Sequence, residues 1–308
     1  MKSPRTTASI AAALALLLVS AGRAPSPPVG RGSSPAAAPA HVVVILMENK
    51  EFNDIIDSGK APFLNAFARR NVLLEHEFAV THPSEPNYLA LTSGRTFGST
   101  TDCGACTFAG LNIADQLAKH HMGWKAYMQG VPSPCFKGDR AGVWPYMYSS
   151  GHNPFIHYKD IRSAPSRCAH IVPFSELQSD LDLGSLPRYA FISPNECNDM
   201  HSCAVGVGDR WLRRWIPRIM PKLGANGLLI LTFDEGSTLR GCCGPAIHGG
   251  HVVTVIAGPG AANGVQIVRR VDHYSILGLI DDALGFQRLG HAAAANTPSI
   301  PRWQTPTP

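Results

Sequence analysis

Four short polar strings, each placed directly after an apolar run, carry the residue types that chemistry needs. Glu48 and Asn49 follow HVVVILM, Thr81 and Ser84 follow NVLLEHEFAV within THPSEPNYLALTSG, Asn198, Asp199 and His201 follow RYAFISPN, and Asp234 and Glu235 close GLLILTFDEG. Taken singly, each has an ordinary explanation as a helix cap, a turn former or a surface histidine. Together, carboxylates, an amide, imidazoles and a hydroxyl are the parts of a metal-assisted phosphoryl-transfer site. A phosphate ester is shielded by its own negative charge. A hard divalent cation held by carboxylate and amide oxygens neutralises that charge and lowers the pKa of the attacking hydroxyl. Histidine then stabilises the equatorial oxygens and protonates the leaving alkoxide.

The apolar runs are the elements that must bring these groups together. HVVVILM, GLLILTFDEG and HVVTVIAGPG read as strands buried on both faces, and RYAFISPN and NVLLEHEFAV as further strands. Helical spacing marks APFLNAFARR, NIADQLAKHH, GDRWLRRWIPRIMPKL and DHYSILGLIDDALG, the last with Asp272 as its N-cap and Gly285 as its stop. WKAYMQG reads as a short strand. Strands alternating with helices predict an α/β domain, a mostly parallel central sheet with helices on both faces. In such sheets the ligand site lies outside the carboxyl ends of the strands. Residues 131–175, rich in Pro, Gly, Cys and aromatics without period, read as an inserted loop region tied by disulfides.

The first residues, MKSPRTTASIAAALALLLVSAGRAP, read as a secretory signal peptide over 1–24, followed by a Pro/Ala-rich disordered linker over 25–40. A catalytic domain over 41–290 and a C-terminal tail over 291–308 complete the expected organisation. No other segment is apolar for long enough to span a bilayer, so no stable membrane anchor is expected. The formal net charge is +5, and Lys2, Arg5 and Arg23 leave with the signal. No basic stripe interleaved with aromatics remains, which argues against a nucleic-acid partner. Eight cysteines in an exported chain are expected to form disulfides. Zinc is not expected at TDCGAC, because no second pair completes a tetrahedral set. The expected location is secreted or periplasmic.

The ordered set ILMENKEF, THPSEPNYLALTSG, ISPNECNDMH, LTFDEG, GGHVVTVIAGPG and DHYSILGLIDDALG resembles the phosphoesterase family of secreted bacterial acid phosphatases and phosphatidylcholine-type phospholipases C. The resemblance implies an alkaline-phosphatase-like fold and a metal site built from Glu48, Asn49, Asp234 and Glu235, with Asp199 and His251 joining it. It also implies catalytic roles for Asn198 and His201, and a hydroxyl nucleophile in the THPSEPNY stretch. Thr81 is the first choice there, by comparison with the wider superfamily's Thr-x-Pro-Asn pattern, and Ser84 the alternative. The implied activity is phosphomonoester hydrolysis through a phosphothreonine, on a small phosphate ester or a phospholipid headgroup such as a phosphoinositide. A phospholipase C-type diesterase and a non-catalytic binding module are the competing readings. Oxygen-rich ligands favour magnesium or calcium, with zinc still open. The bracketing of NDMHS by Cys197 and Cys203 predicts a disulfide, while Cys242 and Cys243 have no equally clear partner. Natural substrate and oligomeric state are not legible.

Overall fold

The computed structural model describes Met1 and residues 41–243, 248–259, 261 and 264–301. The expected signal peptide and linker, and the end of the expected tail, lie outside these residues. In chain order the elements are β1 (Val42–Met47), α1 (Phe52–Ile55), α2 (Pro62–Arg70), β2 (Val72–Phe78), α3 (Ser84–Ser93), α4 (Ile113–Lys119), β3 (Trp124–Met128), β4 (Arg140–Ala141) and β5 (Tyr148–Ser149). They continue with α5 (Pro154–His157), α6 (Lys159–Arg162), α7 (Pro165–Cys168), β6 (Ile171–Pro173), α8 (Ser175–Leu183), β7 (Tyr189–Ser193), α9 (Val205–Ile219), β8 (Leu228–Phe233), β9 (His251–Ala257), β10 (Val265–Ile267), β11 (Val271–Asp272) and α10 (His273–Leu284).

The central sheet runs in the order β10-β2-β9-β8-β1-β7-β3-β6, with β11 also on β2. β1 pairs in parallel with both β7 and β8, and β3 does so with β7 and β6. β9 is antiparallel to both β8 and β2, so β2 points the same way as β8. The carboxyl ends of β1, β2, β7 and β8 therefore share one edge of the sheet. The β8–β9 connection has no helix among its described residues, which leaves β9 to return antiparallel, since a parallel return needs a crossover. The fold is α/β, with one reversed strand inside a mostly parallel sheet.

Alternate residues of β1 serve two cores, which is why the run is apolar throughout. Val42, Val44 and Leu46 face α3, α4 and α10 with Tyr88, Leu89, Leu117, Ile276 and Ile280. Val43, Ile45 and Met47 face α2, α8 and α9 with Leu64, Leu177, Leu212 and Ile216. All six are fully buried, each gaining roughly 1.5–3 kcal/mol from leaving water.

Several expectations need correction. The region 131–175 carries the β4–β5 hairpin, three short helices and edge strand β6, and α8 follows it; none of these has a strong period. The core continues past residue 290, with Ala292 and Ile300 packed into it. α3 starts at Ser84, with Pro83 as its N-cap residue and a polar first turn. Asp272 caps α10, its carboxylate accepting from Ser275 N at 2.9 Å. Disulfides join Cys103–Cys106, Cys135–Cys168, Cys197–Cys203 and Cys242–Cys243. The NDMHS bridge is as expected, and the vicinal cysteines are each other's partner. Cys135–Cys168 ties the stretch before β4 to the end of α7.

Candidate active site

Strand pairing sets the site's spacing before any side chain acts. Asp234 N donates to Met47 O at 3.0 Å, and Glu48 N to Asp199 O at 2.9 Å. Three carboxylate-bearing loops are thereby stitched together by backbone. Asn49 N then donates to Asp234 Oδ1 at 3.0 Å, and His201 N to Asp199 Oδ1 at 2.8 Å. Asn49 (φ 45°) and Met200 (φ 82°) hold left-handed backbone beside Glu48 and Asp199, a conformation unfavourable for residues with a Cβ and sustained only by surrounding contacts. Met200 is locked beneath Asp199 against α9, where a Cβ on Gly208 would lie 2.5 Å from its Cγ.

α3 brings the hydroxyls. Ser84 Oγ lies 3.1 Å from Glu48 Oε2 and 3.3 Å from Glu235 Oε1, and donates to this pair of carboxylates. One helical turn on, the Tyr88 hydroxyl donates to Glu48 Oε1. Asn87 secures the turn that feeds the helix: its Oδ1 accepts from Val80 N and Thr81 N, both at 3.0 Å, while its Nδ2 donates to Thr81 O at 2.7 Å and Pro83 O at 3.1 Å. Thr81 Oγ1 donates to His82 O at 3.2 Å and has no carboxylate partner.

His152, on the turn after β5, puts Nδ1 3.3 Å from Asp199 Oδ2 and 3.6 Å from Glu48 Oε1. Glu48, His152 and Asp199 each offer a ligand atom, all within 4.8 Å of one another and all buried. Around them Asn49 Oδ1, Asp199 Oδ2 and Asp234 Oδ2 are buried without a hydrogen-bond donor among the described residues. Orphaned oxygens clustered beside three carboxylates are expensive unless a cation completes them. The donor set fits a hard divalent ion, with one imidazole.

The electrostatics agree. Burial pushes Glu48 well above the usual carboxylate range, and Asp234 and Asp199 add to it. Burial likewise raises Asp199, against the opposing pull of His152, and lifts Glu235 to about 7. Burial alone would lower His152, but the Asp199 carboxylate 3.3 Å away and the other nearby carboxylates outweigh it and its pKa rises. His82 also rises: burial works against its charge, yet Thr238 O at 3.0 Å and the Glu235 carboxylate outweigh burial. These are the perturbations expected of functional groups rather than of solvated ones.

The expected residues divide clearly. Glu48, Asn49, Ser84, Asp199, Asp234 and Glu235 come together. His201 lies at the rim, its ring 5.6 Å from that of His152. Asn198 Nδ2 donates to Gln129 Oε1 at 3.0 Å and steadies the loop. His251 does not join the group: its ring stacks on Phe52 at 4.4 Å and its Nε2 lies 2.7 Å from Glu75 O. β9 starts at the right edge of the sheet, but that side chain turns into the packing. Glu51, not foreseen, orders the loop after Glu235 by accepting from Ser237 N, Thr238 Oγ1 and His251 N. His82, Tyr88 and His152 were also missed. Tyr88 had a signal, since it stands four residues from Ser84 on one helix.

Residues 56–287 match the phosphoesterase family. The chain is 32% identical over 278 residues to the phosphatidylinositol-3-phosphatase of Mycobacterium tuberculosis, covering 89% of this chain and 86% of that protein. It is 30% identical over 255 residues to the acid phosphatase of Aspergillus fumigatus, covering 80% of this chain but only 55% of the longer fungal protein. Among solved structures it resembles an alkaline phosphatase superfamily protein from Vibrio parahaemolyticus (TM-score 0.54, 13% identity, 81% of this chain and 67% of the other). It also resembles the phosphonate monoester hydrolase of Agrobacterium radiobacter (TM-score 0.51, 16% identity, 80% and 74%). At such identities these two matches speak for the fold alone, which is alkaline-phosphatase-like. A matched segment that spans most of the described residues, and that contains every loop of the candidate site except the Glu48–Asn49 turn, shows that the chain belongs to the phosphoesterase family.

Proposed function

We propose that this chain is an exported, metal-assisted phosphomonoesterase in which Ser84, rather than Thr81, is the nucleophile. The observation that carries the reading is the Ser84 hydroxyl, buried at the start of α3 and bonded to Glu48 and Glu235 beside three orphaned oxygens. The similarity to an acid phosphatase and a phosphatidylinositol-3-phosphatase supports monoester chemistry. Four disulfides among the described residues support an oxidising compartment, and none of the described helices is long and apolar enough to cross a membrane.

Glu48, Asn49, Asp199, Asp234 and His152 would hold a divalent cation, which when bound neutralises phosphate charge and lowers the pKa of a nearby hydroxyl. Glu235, whose other oxygen faces His82, takes the Ser84 proton as Oγ attacks phosphorus. The phosphorus–oxygen bond to the alcohol breaks, and the leaving alkoxide takes a proton from His201 at the rim of the site. The phosphoserine is then hydrolysed: water attacks phosphorus and gives a proton back to His201, and Glu235 returns its proton to Ser84 Oγ as the phosphorus–Oγ bond breaks.

Phosphate release from an aryl phosphate monoester, and from its matching diester, before and after chelation tests this reading. Monoester turnover that is lost on chelation and restored by a divalent ion is expected, with Ser84→Ala lowering kcat by roughly 10⁴-fold or more. Turnover of the diester alone, or unchanged turnover in Ser84→Ala, would refute it.

A further inference from the structure

We propose that the tip of the β4–β5 hairpin docks on the surface of a lipid bilayer, so that the site beside it acts on a phosphate monoester displayed by a lipid headgroup. The tip is the turn Val143-Trp144-Pro145-Tyr146, closed by Tyr146 N donating to Val143 O at 2.8 Å. It is an ordered turn, yet Val143 is 80% exposed, Trp144 70% and Tyr146 56%. Three large apolar or amphipathic side chains held in water on one turn are a standing cost that a partner surface removes. Elsewhere Leu111, Leu183 and Val268 are exposed singly, on separate segments.

The hairpin is bonded into the site. Glu196 N donates to Met147 O at 2.9 Å, Arg140 pairs with Glu196 at 2.9 Å, and Ser202 N donates to Glu196 O at 2.7 Å. Ser150, just past β5, bonds to Asp139 through both its amide and its hydroxyl, and His152 follows two residues later. The loop after Glu235 adds a further exposed apolar residue, Leu239 at 76%, one residue from the Thr238 carbonyl that contacts His82.

The composition of the tip selects the occupant. Trp and Tyr join an apolar body to a polar handle and favour the headgroup boundary of a bilayer. Of the charged residues that precede the tip, Arg140 is paired with Glu196 and Asp139 accepts from Ser150, while Lys137 is exposed and can meet the phosphate-bearing headgroups. A water-soluble sugar phosphate would need no such surface. This inference rests on the phosphomonoesterase reading for its chemistry, but not for its binding.

The test compares wild type with the triple variant Val143→Ser, Trp144→Ser, Tyr146→Ser, whose side chains pack little in the fold and whose melting temperature should stay near wild type. Each protein is floated with phosphatidylcholine vesicles, with and without phosphatidic acid, a lipid whose headgroup is a phosphate monoester. Hydrolysis of the lipid and of a soluble aryl phosphate is followed in parallel. Wild type is expected to float with the acidic vesicles, and the variant to lose at least tenfold in vesicle binding and in lipid hydrolysis while keeping aryl phosphate turnover. Wild type that stays with the soluble fraction, or a variant that floats equally well, overturns the proposal. Wild type that self-associates through the tip, with the variant monomeric, overturns it in favour of a second copy. Vesicle binding without any aryl phosphate turnover would leave docking standing and remove the phosphomonoesterase reading.

Discussion

Ser84 and Tyr88 both donate to Glu48 from one face of α3, so a fully buried carboxylate is held by two hydroxyls. Removing the tyrosine hydroxyl leaves the Glu48 oxygen free to reorient and adds to the oxygens without a donor. Tyr88→Phe is therefore expected to weaken divalent-ion affinity by about 10–100-fold, read by calorimetric titration, as is usual when the partner of a metal ligand is lost. At this scale the sequence was most legible where polar residues end apolar strands, because strand ends are counted along the chain. His152 was not legible: it sits in residues 131–175, where neither period nor spacing indicates which side chain turns inward. Thr81 and Ser84 show the limit of reading by pattern, since the two hydroxyls stand three positions apart and their directions are set by the turn that Asn87 ties down.

That turn belongs to the scale of elements. Asn87 makes four hydrogen bonds to Val80, Thr81 and Pro83, satisfying two backbone amides and two carbonyls with one side chain. Asn87→Ala leaves these groups buried or poorly solvated, and is expected to cost about 2–4 kcal/mol in a urea titration while lowering kcat, because the Ser84 end of α3 loses its anchor. Strands with strong apolar runs were legible, as were helices with a cap and a stop. β6 and α8 were not, the first being a three-residue edge strand and the second short and mostly polar. The antiparallel course of β9 follows from the absence of a helical pattern between Glu235 and His251. That absence also explains His251: it stands at the sheet edge that carries the candidate site, as expected, but at the start of a reversed strand, where its ring fills the space between Phe52 and Phe78.

Across the whole molecule, buried carboxylates outside the candidate metal site contribute to the response to pH. Burial raises Asp281 and Glu85 to about 7 each, while an unfolded carboxyl titrates near 4. Below about 4 both states hold these protons. Between about 4 and 7 the unfolded chain releases them and the fold does not, so stability falls as pH rises and levels off above about 7. The melting temperature is expected to be higher at pH 5 than at pH 8. Asp281→Asn should shrink that difference by an amount corresponding to roughly 2 kcal/mol, and an unchanged difference would show that Asp281 is ionised in the fold. A fold that favours acid conditions suits the acid phosphatases that the chain resembles. The overall class was legible because alternating strands and helices fix a sheet with a functional edge, whereas the two-core packing and the hairpin beside the site depend on contacts far apart in sequence.

The most direct measurement is to quench the enzyme with acid during turnover of an aryl phosphate and map any phosphoryl group on the protein by mass spectrometry. One phosphoryl group is expected on Ser84, absent from the chelated enzyme and from Ser84→Ala. A phosphoryl group on Thr81, or an unmodified protein under conditions of continuing turnover in which wild-type phosphoserine should accumulate, would contradict it.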